Sequence, residues 1–216
     1  MDLVHLGFDH SVDRFSGIVI KAQDVTINSC NVSRAAAHGI AVVGGAKAQI
    51  NGCEIAKCGW DGVSIYGEGS QASVTNTVSE RNLQHGVGFW LGGSGSVSKS
   101  RLLKNGLCGI VAMSKGTQVS LKSNTCSHNR EAGILISDSV TAAIELNLCE
   151  KNLLSGIVAR SPGTAVSIIS NVTKGNHEAG ILTYLGVKVG KFENNKSSGN
   201  VSQQIWRNAN LNKAAK

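Results

Sequence analysis

The sequence predicts an all-β solenoid of about eight or nine stacked coils, each of 22–24 residues and three short strands. Three observations predict it. The pair Gly-[Ile/Val] recurs at Gly17, Gly39, Gly62, Gly86, Gly109, Gly133, Gly156 and Gly180, with spacings of 22, 23, 24, 23, 24, 23 and 24 residues. Apolar residues flank each Gly at intervals of two, the period of a strand and not of a helix. Asparagines recur at fixed offsets from the Gly, where turns are needed. A unit this short cannot bury a core alone, so the coils must stack and share one.

The first strand follows the Gly, as in Ile40/Val42, Val63/Ile65, Val87/Phe89, Ile110/Ala112, Ile134/Ile136 and Ile157/Ala159. A second strand lies upstream. Twelve positions before the Gly stand Ile27, Ile50, Val74, Val97, Leu121, Ile144 and Ile168, and fourteen before it Val25, Ala48, Ala72, Gly95, Val119, Ala142 and Val166. The third strand is centred seven before the Gly, at Val32, Ile55, Leu102, Cys126 and Cys149, with Ser79 and Thr173 as polar exceptions. Asn82, Asn105, Asn129, Asn152 and Asn176 mark the turn four before the Gly, and Asn124, Asn147 and Asn171 the turn nine before it. Asn tolerates a left-handed corner, and its amide can bond to its copy one coil away. Because these upstream offsets are constant, the drift in spacing falls in the loop after the Gly-led strand.

A period near 23 with three strands per coil and Asn ladders, as in Asn129-Arg-Glu-Ala-Gly133-Ile-Leu-Ile and Asn152-Leu-Leu-Ser-Gly156-Ile-Val-Ala, resembles the right-handed parallel β-helix of the pectin-lyase-like superfamily. Within it the repeat is most similar to that of carbohydrate-binding proteins and sugar hydrolases and of the NosD-like periplasmic proteins. The resemblance covers roughly residues 15–205 and implies a single-stranded β-helix whose groove lies over the first parallel sheet and the turn feeding it. A leucine-rich repeat lacks a match, since its Leu-dense signature and helical half are missing, and a β-propeller needs a period near twice this one. Residues 1–14 read as an N-terminal cap or partial coil and 206–216 as a C-terminal tail, with Gln204 standing where the next Gly belongs.

The composition narrows the function classes. No apolar run approaches the roughly 20 residues of a membrane span, and Met1-Asp-Leu-Val-His-Leu lacks the basic and apolar regions of a signal peptide. The chain is therefore expected to be cytoplasmic, or secreted or periplasmic if a leader was removed. Cys30 and Cys53 share one repeat position, and Cys126 and Cys149 another. Such stacked thiols suit a ladder of small side chains better than a disulfide or a zinc site, which wants paired CxxC spacing. No oxygen-rich cluster argues for calcium, and no cofactor is implied. The net charge of +7 calls for an acidic partner. An acidic polysaccharide or oligosaccharide is the first candidate, and nucleic acid a weak second, because no Lys/Arg run is present.

Read as columns across coils, three positions bear on function. Immediately before the Gly, His38, Asp61 and His85 fall on adjacent coils about 4.8 Å apart, where an acid between two imidazoles offers general acid–base chemistry. Four after the Gly stand Tyr66, Trp90, Arg160 and Tyr184. With Trp60 they form a candidate sugar-binding set, the rings stacking on sugars and the guanidinium pairing with a carboxylate. Two after the Gly, Val111, Leu135, Val158 and Leu182 make an aliphatic stripe, expected to be exposed and so an interface for self-association or a protein partner. The resemblance implies that any enzyme here would be a polysaccharide lyase, epimerase or glycoside hydrolase. The aspartate clusters, calcium ligands and Asp-Pro-x-Asp-His signature of those enzymes are not matched, since the single proline is Pro162. The competing reading is a non-catalytic β-helix scaffold.

Overall fold

A computed structural model describes residues 15–202 and 204–209. Its strands fall into three parallel sheets that run the length of a solenoid. The first sheet has nine strands, from Ile18–Ile20 to Ile205–Ala209. The second and third have eight each, beginning at Val25–Asn28 and Asn31–Ser33.

The register follows the repeat. Ile40 pairs with Val63, Val63 with Val87, Val87 with Ile110, and Ile110 with Ile134. The second sheet aligns Val25, Ala48 and Ala72, and the third aligns Val32 with Ile55 and Cys126 with Cys149. Side chains from all three sheets meet in one continuous core that includes Ile40, Ile65, Phe89, Leu102, Leu121 and Ile144. The polar exceptions on the third sheet are satisfied there: Ser79 Oγ donates to the Gly86 carbonyl at 2.8 Å and accepts from Asn82 Nδ2 at 3.0 Å. All six cysteines are free thiols. Pairing continues past the last Gly-led repeat, because Ile205 aligns with Ile181 and residues 205–209 form the ninth strand of the first sheet. Residues 206–209 of the expected tail at 206–216 thus belong to that strand, while the expected cap at 1–14 and the rest of the tail lie outside the described residues.

Two features of the repeat explain its spacing. Each buried Asn four before the Gly is saturated by its neighbours. Asn129 Oδ1 accepts from both the amide and Nδ2 of Asn105, at 3.0 and 3.1 Å, while its own Nδ2 donates to the Leu102 carbonyl and to Asn152 Oδ1, both at 3.0 Å. The recurring Gly is a matter of space, not of left-handed backbone. A methyl group on Gly109 would stand 2.7 Å from the Gly133 carbonyl oxygen and 3.0 Å from both Asn129 Nδ2 and Cys126 Cβ. Ladder and Gly are thus one packing unit.

Replacing Asn129 with Ala strands two buried donors of Asn105, each costing about 1–3 kcal/mol. Urea unfolding is expected to show a loss of about 3 kcal/mol, whereas the exposed Lys151→Ala leaves stability within about 0.5 kcal/mol.

Candidate functional site

The candidate residues lie along the first sheet and the turns that flank its strands, with Trp60, His38, Asp61 and His85 in the turn before them, and the repeat register brings the His38, Asp61 and His85 column together as expected. The backbone amide of Asp61 donates to His38 Nδ1 at 3.3 Å, that of His85 to Asp61 Oδ1 at 3.0 Å, and that of Cys108 to His85 Nδ1 at 3.1 Å. Each side chain therefore accepts from the equivalent amide one coil on, as the asparagines do elsewhere. The column is a third ladder, assembled from unlike residues.

Its exposure is low, at 3 % for His38, 1 % for Asp61 and 6 % for His85. Burial holds the imidazoles neutral, His38 down to about 4 and His85 to about 3. Burial also pushes the Asp61 carboxyl up to about 7, against the hydrogen bonds from the His85 amide and the Trp90 indole. An accepting Nδ1 on a neutral imidazole leaves the proton on Nε2, so neither ring offers a free basic nitrogen near pH 7. The 3.7 Å approach of His38 Nδ1 to Asp61 Oδ2 is accordingly not an ion pair. Among the described residues no His, Cys, Asp or Glu group is arranged to hold a metal ion.

The aromatic residues sit on this ladder. Trp90 Nε1 donates to Asp61 Oδ2 at 3.1 Å, and its ring lies 5.5 Å from that of His85. Gly88 makes this possible, because a methyl group there would collide with the indole and stand 2.8 Å from Asp61 Oδ2. Trp60 meets His38 edge-on at 5.2 Å. Tyr66 is in register with Trp90 on the adjacent strand, and all three rings are half-buried. Ser64, between Ala41 and Gly88 in the same sheet, is fully buried and its Oγ has no hydrogen-bond partner among the described residues. Sequence reading missed Gly88 and Ser64; the break in the otherwise β-branched or aliphatic first strand was their signal.

Arg160 and Tyr184 occupy the far end of the face, four coils from Trp90 in the case of Tyr184. Between the two ends the structure corrects an expectation. Val111, Leu135, Val158 and Leu182 are 0–9 % exposed. They do point away from the main core, but they form a second apolar cluster with Cys108, Ala132 and Ala179 from the turn before the strand, against which pack Trp90 and Tyr184 at the ends of their strands and Met113 just after its own. Residues on both flanks close over the stripe, so it is not a bare surface. Carboxylates edge it on one side: Ser155 Oγ donates to Glu178 Oε2 at 3.1 Å, and Cys108 Sγ lies 3.4 Å from Glu131 Oε2.

Residues 16–164 match the family described as a right handed beta helix region. The chain belongs to that family. Among solved structures this β-helix is similar to a double mutant of the periplasmic alginate epimerase AlgG, with a TM-score of 0.63 and 16 % identity over 91 % of this chain and 48 % of the other. It is also similar to the pectate lyase Pel9A (0.55, 14 % identity, 82 % and 56 %). A third is the catalytic unit of an α-1,3-glucanase from Streptomyces thermodiastaticus (0.59, 11 % identity, 85 % and 45 %). The β-helix spans about half the length of these proteins. A comparison with curated proteins returns no match.

The His85 ladder contact makes a prediction about acid stability. A group whose folded pKa lies below its unfolded one stabilises fully above the unfolded value, near 6.5, and loses that contribution as pH falls toward about 3. His85→Asn keeps an acceptor at the Nδ1 position without titrating. Between pH 7 and 5 the variant is expected to lose about 2 kcal/mol less stability than the native protein in urea titrations. The opposing contribution of Asp61 is common to both proteins and cancels.

Proposed function

We propose that this β-helix binds an acidic polysaccharide along the outer face of its first sheet, with Trp60, Tyr66 and Trp90 as the sugar-stacking shelf and Arg160 and Tyr184 as contacts at the far end. The observation that carries the reading is the fixed indole of Trp90. Its N–H is held by Asp61 and its ring is seated over Gly88, which places a pre-oriented aromatic surface beside Tyr66 at little ordering cost on binding. The net charge of +7 favours an anionic polymer. The similar structures, an alginate epimerase, a pectate lyase and a glucanase, are named for polysaccharides but for three different reactions, so the fold supports the ligand class and not a chemistry.

Geometry favours binding over modification. General acid–base work by His38, Asp61 and His85 would need a free basic nitrogen or a reachable carboxyl, whereas both Nδ1 atoms accept main-chain amides and Asp61 is covered by Trp90. In this reading Asp61 and His85 position Trp90. Burial of the aliphatic stripe removes the exposed surface on which self-association through it would rest.

Calorimetric titration with polymannuronate and polygalacturonate oligomers tests the proposal. Trp90→Ala is expected to weaken binding about five-fold or more, and Gly88→Ala, which unseats the indole, to do the same while leaving Trp90 present. A native protein that binds no anionic polysaccharide would overturn it.

A further inference from the structure

The corner that leads from the third sheet to the first carries a line of basic side chains that contiguous reading of the sequence does not reveal. Five positions before the Gly, on six consecutive coils, stand Arg34, Lys57, Arg81, Lys104, His128 and Lys151. All six are exposed. All six adopt left-handed backbone, with φ between 53° and 59°. Their amides donate in turn to the next coil, Arg34 to the Ala56 carbonyl, Lys57 to Glu80, Arg81 to Leu103 and Lys104 to Ser127, at 3.0–3.1 Å. The line is therefore straight, held at the sheet spacing of about 4.8 Å, and about 24 Å long from Arg34 to Lys151.

The backbone does not ask for cations here. The equivalent left-handed corner between the second and third sheets, on the same six coils, holds Ser29, Gly52, Asn76, Lys99, Ser123 and Leu146, of which one is basic. Left-handed backbone favours Gly and Asn, and stacked like charges repel, so nothing in the folded state accounts for six basic residues in register. Among the described residues Arg81 alone of them makes an ion pair, to Glu80 at 3.0 Å. The line ends where Gly175 and Gly199 take over the position.

We infer that this ridge is a second binding site, for an extended anionic polysaccharide lying parallel to the solenoid axis. A straight row of Arg and Lys side chains at one repeat position, interrupted only by His128, suits an unbranched polymer that carries anionic groups at regular intervals. Nucleic acid fits less well: single strands call for aromatic platforms beside the charges, and the strip next to the ridge offers Ala36, Gly59, Leu83 and Gly106. The assignment of a glycan rests on the polysaccharide reading above, while the ridge shares no residue with the Trp60, Tyr66 and Trp90 shelf.

The test uses the full chain and polygalacturonate, with uncharged dextran and a single-stranded DNA of equal charge as comparators, at low and high salt. Exchanging Arg34, Lys57, Arg81, Lys104 and Lys151 for Gln is expected to leave the circular dichroism spectrum unchanged, to weaken polygalacturonate binding about ten-fold or more, and to flatten its salt dependence. Should that variant melt early, the double variant Lys57→Gln with Lys104→Gln is expected to show about a three-fold loss. Trp90→Ala separates the two sites, since losing the shelf lowers affinity without changing the salt slope. Native affinity and salt slope in the Gln variants overturn the ridge, as does a native protein that ignores polygalacturonate; DNA binding as tight as polygalacturonate overturns the glycan assignment.

Discussion

The close approach of one coil to the next, made possible by the recurring Gly and locked by the asparagine four residues before it, governs the rest of this molecule. With no side chain on the Gly, the carbonyl of the next coil and the Asn amide come within about 3 Å of its Cα substituent position. Every Asn in the series then satisfies the amide of its neighbour. Spacing between coils is thereby fixed at the value a parallel sheet requires. Any residue type repeated at one offset becomes a straight row, and rows, not single residues, are what the surface presents.

One of these rows changes meaning once its hydrogen bonds are known. His38, Asp61 and His85 are neighbours as an acid–base constellation would be, yet they act on one another's main chain. Their Nδ1 and Oδ1 atoms take over the task that Asn performs at the other corners. The consequence passes outward. Asp61 has one oxygen left for the indole of Trp90, Gly88 leaves room for the ring, and Tyr66 follows in register. Support for an aromatic shelf is then built into the solenoid itself, with no flexible loop between ladder and ring.

The sequence made the architecture legible because a solenoid repeats its constraints. The Gly column recurs eight times within one chain, and the two Asn columns five and three times. What it left open was direction of use. Alternation places Val111, Leu135, Val158 and Leu182 on the outer face, but it says nothing of the flanking Ala132, Met113 and Tyr184 that close over them. Spacing puts His38 beside Asp61, but not which atom donates. The basic row at Arg34, Lys57, Arg81 and Lys104 is no contiguous run of charge, and only the repeat offset that also aligns the aromatics lines it up. Gly88 and Ser64 are departures from a repeat, and a departure carries information only when the residues around it are known.

The central claim is that the His-Asp-His column is a hydrogen-bond ladder supporting the aromatic shelf and not a proton-transfer site. Nitrogen-resolved NMR of the histidine rings tests it most directly. The account predicts that His38 and His85 stay neutral from pH 7.5 to about 5, with the proton on Nε2 and Nδ1 accepting throughout. An imidazole in this pair that titrates near its ordinary value of about 6.5, or that carries its proton on Nδ1, would contradict it.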